Sequence, residues 1–109
     1  MKKIGYLRVS THEQKPDRQI EGLQPLCDEL HIETLSAVAR SRPVYDEVIS
    51  RLGRGDMLIV WALDRAYRSA KDALNELDAL RARGVYFQIA NFNLDTTTPH
   101  GRFIYTPPR

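Results

Sequence analysis

Residues 57–61 read Met-Leu-Ile-Val-Trp, and this uninterrupted apolar run decides the fold class of the chain. A short run in which every residue is apolar, rather than every second one, is typical of a strand that is buried on both faces. Strands of that kind occur in parallel sheets that helices cover on both sides. The run therefore predicts a central strand, with helices and further strands before and after it in the chain.

The sequence that follows the run predicts a capped helix and another strand. Ser69 and Asp72 have the spacing of a capping box, and Gly84 is placed to end the helix. Apolar residues recur at helical spacing between these two signals, at Ala70, Ala73, Leu74, Leu77 and Leu80. Residues 85–92 then predict a strand, and residues 103–105 predict a short edge strand.

The sequence before the run shows the same alternation. Residues 3–9 predict a strand, and residues 13–31 predict a helix that kinks or breaks at Pro25. Residues 33–37 predict a second strand, after which Pro43 suits the first turn of a helix. The order βαβαβαβ indicates an α/β fold, a mostly parallel sheet of four to five strands with flanking helices, doubly wound like flavodoxin in three layers.

The composition is that of one ordinary globular domain. The chain has 109 residues, of which 42% are hydrophobic and 28% charged, and no apolar run is long enough to span a membrane. Cys27 is the single cysteine, which excludes an internal disulfide and fits a reduced, cytoplasmic setting. The net charge is only +2, but 12 of the 16 basic residues are arginine, whose planar fork of donors suits phosphate. A GC-rich genome also favours arginine, so the composition alone does not show that these residues bind phosphate. Their positions in the sequence have to indicate it.

Polar residues gather where three predicted elements begin or end. Ser10 comes where the first strand ends, and Arg8 precedes it by two residues on the same face. Arg42 opens the helix after the second strand, and residues 64–68, Asp-Arg-Ala-Tyr-Arg, follow the central strand. Because the carboxyl ends of parallel strands meet at one edge of a sheet, these segments should converge in a crevice there. A serine at a strand end is more often structural than catalytic, so the convergence rather than the serine indicates a site.

The order of the motifs along the chain resembles the catalytic domain of the serine recombinases, the resolvase/invertase family. The matching positions are Tyr6, Arg8, Val9, Ser10, Thr11 and Gln14, then Ser36, Arg42 and Pro43, then Gly55 and Asp56, then Leu63, Asp64, Arg65, Arg68 and Ser69, then Gly84 and Val85, and last Asp95, Thr96 and Gly101. Each motif is weak by itself, but the ordered set is specific, and the resemblance extends from about Lys2 to Tyr105.

The resemblance implies that DNA is cut and rejoined at specific sites with no metal and no cofactor. Ser10 would attack the backbone phosphate, giving a 5′-phosphoserine link and a free 3′-hydroxyl. The resemblance assigns binding of the scissile phosphate to Arg8, Arg42, Arg65 and Arg68. Preorganised arginines suit this task because attack spreads negative charge over the phosphate oxygens and the guanidinium groups stay charged.

The same resemblance assigns supporting roles around the serine. Asp64 and Gln19 would orient groups in the pocket, with Tyr6 and Gln14 in support. Asp64 is equally a candidate for exchanging a proton with the leaving oxygen and for pinning a neighbouring arginine. No histidine lies in any of the motifs, so we expect the positive field of the arginines to ease deprotonation of the serine.

The chain also departs from the family pattern. Ala37 stands where the family usually has glycine, which could displace Arg42 if that position needs a positive φ angle. The sequence ends with Thr-Pro-Pro-Arg at residues 106–109, where the family continues into a long dimerisation helix and a DNA-binding domain. We therefore expect one domain over residues 1–109 that is incomplete at its C-terminus and forms a monomer or weak dimer.

These departures leave the function open between different classes. As an enzyme domain, the chain would bind DNA weakly and without sequence preference, and it could join full-length recombinase relatives. As a non-catalytic remnant, it would hold phosphate or DNA, or interfere with those relatives. A third interpretation is a flavodoxin-like module that binds a small phosphate ligand at the same strand ends. A serine-dependent covalent DNA adduct would distinguish the first of these from the others.

Overall fold

Five strands form one sheet in the computed structural model, which describes residues 1–10, 17–35, 41–62, 66–67, 69–92 and 94–95. The strands are β1 Lys3–Ser10, β2 Glu29–Leu35, β3 Met57–Val60, β4 Tyr86–Ile89 and β5 Leu94–Asp95. Their order across the sheet is β2-β1-β3-β4-β5. Each neighbouring pair from β2 to β4 is parallel, and β5 runs antiparallel to β4. This is the doubly wound order of flavodoxin-like proteins, which confirms the predicted fold class.

The three helices of the described residues divide between the two sides of the sheet. They are α1 Asp17–Leu23, α2 Pro43–Arg51 and α3 Ala70–Ala82, with single 3-10 turns at Gln24–Leu26 and Ala90–Phe92. Apolar side chains of α2 and α3 pack on one face of the sheet, and those of α1 pack on the other. The result is the predicted three-layer arrangement. Within the described residues, no helix is both long and apolar enough to cross a membrane.

The residues that were predicted to begin and end α2 and α3 lie at those positions in the structure. Ser69 caps α3, because its Oγ accepts a hydrogen bond from the backbone nitrogen of Asp72 at 3.1 Å. Gly84 follows the end of α3 with a φ angle of 75°, a left-handed conformation that glycine adopts without strain. Pro43 occupies the first turn of α2, where its missing N–H group would have no partner in any case.

Both ends of α2 are held by side chains from other elements. The carboxylate of Glu33, on β2, accepts hydrogen bonds from the backbone nitrogens of Val44 and Tyr45 in the first turn. At the other end, the guanidinium of Arg83 donates to the carbonyl of Ile49 at 3.0 Å and to the carbonyl of Leu52. A negative charge at the N-terminus and a positive charge at the C-terminus both complement the helix dipole.

Three predicted boundaries are wrong, for local reasons. The helix predicted over residues 13–31 breaks at Pro25, as expected, but it does not resume, and β2 already begins at Glu29 rather than at residue 33. After the proline the backbone becomes extended at Cys27, with φ −125° and ψ 157°. Similarly, β4 ends at Ile89 because a 3-10 turn replaces the last predicted strand residues. The edge strand predicted over residues 103–105 lies outside the described residues.

Two predicted core positions are also wrong. Ala70 and Leu74, assigned to the apolar stripe of α3, are exposed, Leu74 by 69%. Ala73 and Leu80 are buried and Leu77 is half-buried, so the buried stripe follows the spacing i, i+4, i+7 and excludes the position next to Ala73.

The two faces of the sheet have separate cores, which alternate along each central strand. We call them the tyrosine face and the apolar face. The tyrosine face contains Ile4, Tyr6, Tyr45, Val48, Leu52, Leu58, Val60, Ala66, Tyr67, Ala73, Leu80, Val85, Phe87 and Ile89. The apolar face contains Leu7, Val9, Leu23, Met57 and Ile59, with Trp61 partly buried against them. All four residues of β3 are buried, as the opening run predicted.

Candidate functional site

The predicted nucleophile lies at the carboxyl end of β1. Ser10 is the last residue of β1 and pairs in register with Leu35, the last residue of β2. Arg8 pairs with Glu33 in the same ladder. Because β2 and β3 lie on opposite sides of β1, this is the point where the chain changes direction across the sheet. In doubly wound sheets the ligand crevice lies outside such a point.

Glu33 is a buried carboxylate at the centre of this region, with only 3% of its surface exposed. Its Oε1 accepts from the hydroxyl of Tyr6 at 2.6 Å and from the backbone nitrogen of Tyr45 at 3.2 Å. Its Oε2 accepts from the backbone nitrogen of Val44 at 2.8 Å. Three donors from two elements therefore offset the cost of burying this charge. Glu33 joins β1 to the start of α2 through these bonds, a role that no motif in the sequence indicates.

Tyr6 donates a hydrogen bond to this carboxylate, and two of the predicted phosphate ligands act on its pKa. Burial, together with the hydrogen bond to Glu33, raises the pKa of Tyr6 well above its ordinary value. The positive charges of Arg42 and Arg8 act in the opposite direction on the same pKa. Arg8 comes two residues after Tyr6 on the same face of β1, and Arg42 lies over the Tyr45 ring that meets Tyr6 edge-on. Two of the four predicted arginines, one on β1 and one at the start of α2, are therefore neighbours of Tyr6.

Arg42 is held at the entrance of α2 by acceptors from the start of α3 and the segment before it. Its side chain is 12% exposed. Nη1 donates to the carbonyl of Ala66 at 3.4 Å and to Oδ2 of Asp72 at 3.1 Å. Nη2 donates to Oδ1 of Asp72 at 3.3 Å and to Oε1 of Glu76 at 3.4 Å. The fork of the guanidinium thus faces Asp72 with both terminal nitrogens, which fixes its plane.

Aromatic rings support the same guanidinium from one side. Arg42 Cζ lies 4.7 Å from the centre of the Tyr45 ring and 5.9 Å from that of Tyr67. The Tyr45 ring meets Tyr6 and Tyr67 edge-on, with ring centres 5.0 and 5.7 Å apart. The three tyrosines form a continuous row from β1 to the segment before α3. Tyr67 is therefore a core residue, although it stands between two predicted phosphate ligands in the sequence.

The hydroxyl groups of this row form a hydrogen-bond chain that ends on a carboxylate. The Tyr45 hydroxyl lies 3.1 Å from that of Tyr67 and 3.2 Å from Oε2 of Glu76. Since Glu76 can only accept when ionised, Tyr45 donates to it and accepts from Tyr67. Burial is the largest cause that raises the pKa of Tyr45 and of Tyr67, so both hydroxyls remain protonated at neutral pH.

The remaining predicted site residues divide into two groups. Gln19 lies on α1, and its Oε1 is buried with no hydrogen-bond partner among the residues that the structure describes. Gln14, Asp64, Arg65 and Arg68 lie outside the described residues, as does Ala37. The structure therefore brings together Arg8, Arg42 and Tyr6 on one side of the strand that ends at Ser10.

The strand order and the polar residues at its switch point define a doubly wound α/β protein with a candidate site at the carboxyl end of β1. Sequence comparison then gives the family. Residues 3–106 match the sequence model described as Resolvase, N terminal domain, and the chain belongs to this family.

Several curated proteins and solved structures are similar to the chain. It is 42% identical over 101 residues to the probable DNA-invertase y4cG of Sinorhizobium fredii, covering 92% of this chain and 33% of the relative. It is 39% identical over 103 residues to the serine recombinase gin of Escherichia phage Mu, covering 94% and 53%. The structure of the N-terminal catalytic domain of TP901-1 integrase superimposes with a TM-score of 0.75 at 25% identity, covering 95% of this chain and 88% of that one. The chain spans between a third and about half of the length of these two curated relatives.

Proposed function

We propose that the chain carries the catalytic centre of a site-specific DNA recombinase, in which Ser10 cuts and rejoins the DNA backbone. Membership of the resolvase family and similarity to proteins named DNA-invertase and serine recombinase support this function. The observation on this chain that carries the proposal is that Arg8 and Arg42 lie beside Tyr6, on one side of the strand that ends at Ser10. Cations gathered along a strand that ends in a serine suit attack by a serine on an anionic phosphodiester.

The proposed reaction proceeds in two reversible transfers. The oxygen of Ser10 loses its proton and forms a bond to phosphorus, while the bond from phosphorus to the 3′ oxygen breaks and that oxygen takes up a proton. After the strands exchange, a 3′-hydroxyl attacks the phosphoserine and releases the serine hydroxyl. The energy of the phosphodiester is kept in the protein–DNA link, so the rejoining step needs no external energy source.

The arginines have a common role in this proposal and the other polar residues have supporting ones. The charge on the phosphate oxygens would be stabilised by Arg8, Arg42, Arg65 and Arg68. Asp64 would exchange a proton with the leaving oxygen or orient an arginine, and Gln14 and Gln19 would support the pocket. Tyr6 would act through its bond to Glu33, which holds the start of α2 and therefore Arg42 in place.

DNA is the proposed partner, with phosphate contacts as the main source of affinity. For this chain alone we propose weak binding without sequence preference, by a monomer or a weak dimer. Binding through arginine–phosphate contacts releases counterions, so the affinity should fall steeply as salt is raised. A measured affinity that does not change with salt would contradict this part of the proposal.

A covalent trap tests the catalytic role of Ser10. The protein is incubated with a pool of nicked duplexes that carry random sequence around the nick, and adducts are separated on a denaturing gel. We expect an adduct from the unchanged chain and none from Ser10→Ala. Ser50→Ala is the matched control, because Ser50 is exposed on α2 and, among the described residues, its hydroxyl donates to the carbonyl of Glu47 in its own helix.

Mass spectrometry locates the attachment. Trypsin should release residues 9–18 as one peptide, since Lys15 is followed by proline, and Ser10 is the only serine in it. We expect a nucleotide phosphate on this peptide. An undiminished adduct in the Ser10→Ala protein, or no adduct from the unchanged chain, would overturn the proposed function.

A further inference from the structure

The contacts of Arg42 leave no terminal N–H group without an acceptor. A guanidinium has four N–H groups on its two terminal nitrogens. In Arg42 these meet four acceptors, namely the carbonyl of Ala66, both carboxylate oxygens of Asp72 and Oε1 of Glu76. A DNA phosphate that binds through the same nitrogens must displace one of these acceptors. The affinity of Arg42 for phosphate therefore depends on which acceptor gives way.

Glu76 is the carboxylate whose bond to Arg42 is weakest. It accepts one hydrogen bond from Arg42, at 3.4 Å, whereas Asp72 accepts two, at 3.1 and 3.3 Å. The side chain of Glu76 is also more exposed than that of Asp72, 31% against 23%. Losing Glu76 leaves the planar pairing of Arg42 with Asp72 intact, and that pairing is the one that orients the fork.

A second contact keeps Glu76 beside Arg42 when their bond opens. Oε2 of Glu76 accepts from the hydroxyl of Tyr45 at 3.2 Å, and this bond does not involve Arg42. The carboxylate is thus anchored next to the guanidinium and can re-form its bond as soon as a phosphate leaves. An anchored acceptor competes more effectively than a carboxylate on a free side chain, because less conformational entropy is lost when the bond forms.

We propose that Glu76 competes with the DNA phosphate for Arg42 and so sets the affinity and occupancy of the phosphate site. This inference rests on the proposed role of Arg42 as a phosphate ligand. Asp72 holds the plane of the guanidinium, and Glu76 occupies the N–H group that the phosphate takes over. Removing the negative charge of Glu76 should therefore strengthen DNA binding, where removal of a merely structural ion pair would weaken it.

The test measures equilibrium binding in proteins that cannot react. In a Ser10→Ala background, Glu76→Gln is compared with Glu47→Gln for binding to a fluorescent mixed-sequence duplex at low salt. Glu76→Gln keeps an oxygen for the hydroxyl of Tyr45. Glu47→Gln makes the same change of charge on the exposed side of α2. We expect Glu76→Gln to bind about fivefold more tightly than Glu47→Gln, the effect of removing one partly exposed ion pair.

A further comparison tests whether the gain in DNA affinity depends on Arg42. The Glu76→Gln change is repeated in a protein that also carries Arg42→Ala, and there we expect no gain in affinity. Equal binding by Glu76→Gln and Glu47→Gln would overturn the inference, and so would a gain that persists without Arg42. Because all of these proteins lack the serine hydroxyl, a failure of the covalent trap would refute the proposed catalysis without changing the outcome of this binding comparison.

Discussion

The two faces of the sheet are buried by different kinds of side chain. The apolar face is packed by aliphatic side chains and by Trp61, which lies over Gly22 so closely that a Cβ on that glycine would come within 2.4 Å of the ring. The tyrosine face buries three hydroxyl groups and the carboxylate of Glu33 alongside its aliphatic residues. Its polar groups are joined by directed hydrogen bonds, from Tyr6 to Glu33 and from Tyr67 through Tyr45 to Glu76.

This difference shows how the fold supports the candidate site. Arg42 is attached to the tyrosine face through ring contacts and ion pairs, so the position of its guanidinium depends on the hydrogen-bond network. Packing on the apolar face is governed by volume, which several side chains can fill. Packing on the tyrosine face is governed by donors and acceptors, which few side chains can replace. The following substitutions test that distinction.

The largest effect is expected at Glu33. Glu33→Ala leaves the Tyr6 hydroxyl and two backbone N–H groups of α2 without their acceptor, and should lower the free energy of unfolding by about 4 kcal/mol. Glu33→Gln keeps the shape but presents N–H groups to donors, so most of the loss should remain. Urea unfolding at pH 7 measures both, with exposed Glu47→Gln as the control. A Glu33→Gln protein as stable as the control would show that shape, and not charge, matters there.

The opposite pattern is expected on the apolar face. Leu23 is fully buried on α1, and Leu23→Ala should lower the free energy of unfolding by about 3 kcal/mol through lost burial and a cavity. Leu23→Met keeps the volume, and its cost should stay below about 1.5 kcal/mol. The same urea titrations test this pair. If the methionine variant loses as much as the alanine variant, packing on this face is as specific as on the other.

The smallest effect at neutral pH is expected at Tyr45. Tyr45→Phe removes the hydroxyl between Tyr67 and Glu76 and should cost about 1 kcal/mol at pH 7. The buried tyrosines hold their protons at a pH where the unfolded chain loses them, because burial raises the pKa of each. The contribution of these tyrosines to the free energy of unfolding is therefore fully present below about pH 10, the pKa of an unfolded tyrosine. It falls as the pH rises above that value.

The alkaline slope gives Tyr45→Phe a distinct signature. Each such tyrosine contributes a loss of about 1.4 kcal/mol per pH unit above pH 10, so the variant should lose stability less steeply than the unchanged chain by that amount. Unfolding free energies measured from pH 8 to 11 give the two slopes. Parallel slopes would mean that Tyr45 ionises as readily in the folded protein as in the unfolded one.

The central strand was predictable because its apolar composition indicates that it is buried. Residues 57–60 are apolar without interruption, and all four are buried in the centre of the sheet. The start of β2 was not predictable in the same way. Leu26 and Leu30 are four residues apart, which suits a helix, and only the break at Pro25 indicates that the chain does not continue as one.

The candidate site was predictable in part. Arg8 and Arg42 follow from their positions at the end of a strand and the start of a helix, which parallel topology brings together. Glu33 gave no such signal, because an acidic residue in a strand is usually on a solvated face. Its burial depends on Tyr6 and on the first turn of α2, which are distant in sequence. The contacts of Arg42 with Asp72 and Glu76 likewise join residues about 30 positions apart, where local periodicity carries no information.

The bonds at both ends of α2 have a consequence for the order of folding. A helix of nine residues is marginal in water by itself, and α2 has only two fully buried side chains, Tyr45 and Val48. Its end groups are satisfied by Glu33 from β2 and by Arg83 from the end of α3. We therefore expect α2 to form only after β2 and α3 have assembled. Its amide protons should then exchange with solvent no more slowly than those of β1, even though α2 precedes α3 in the chain.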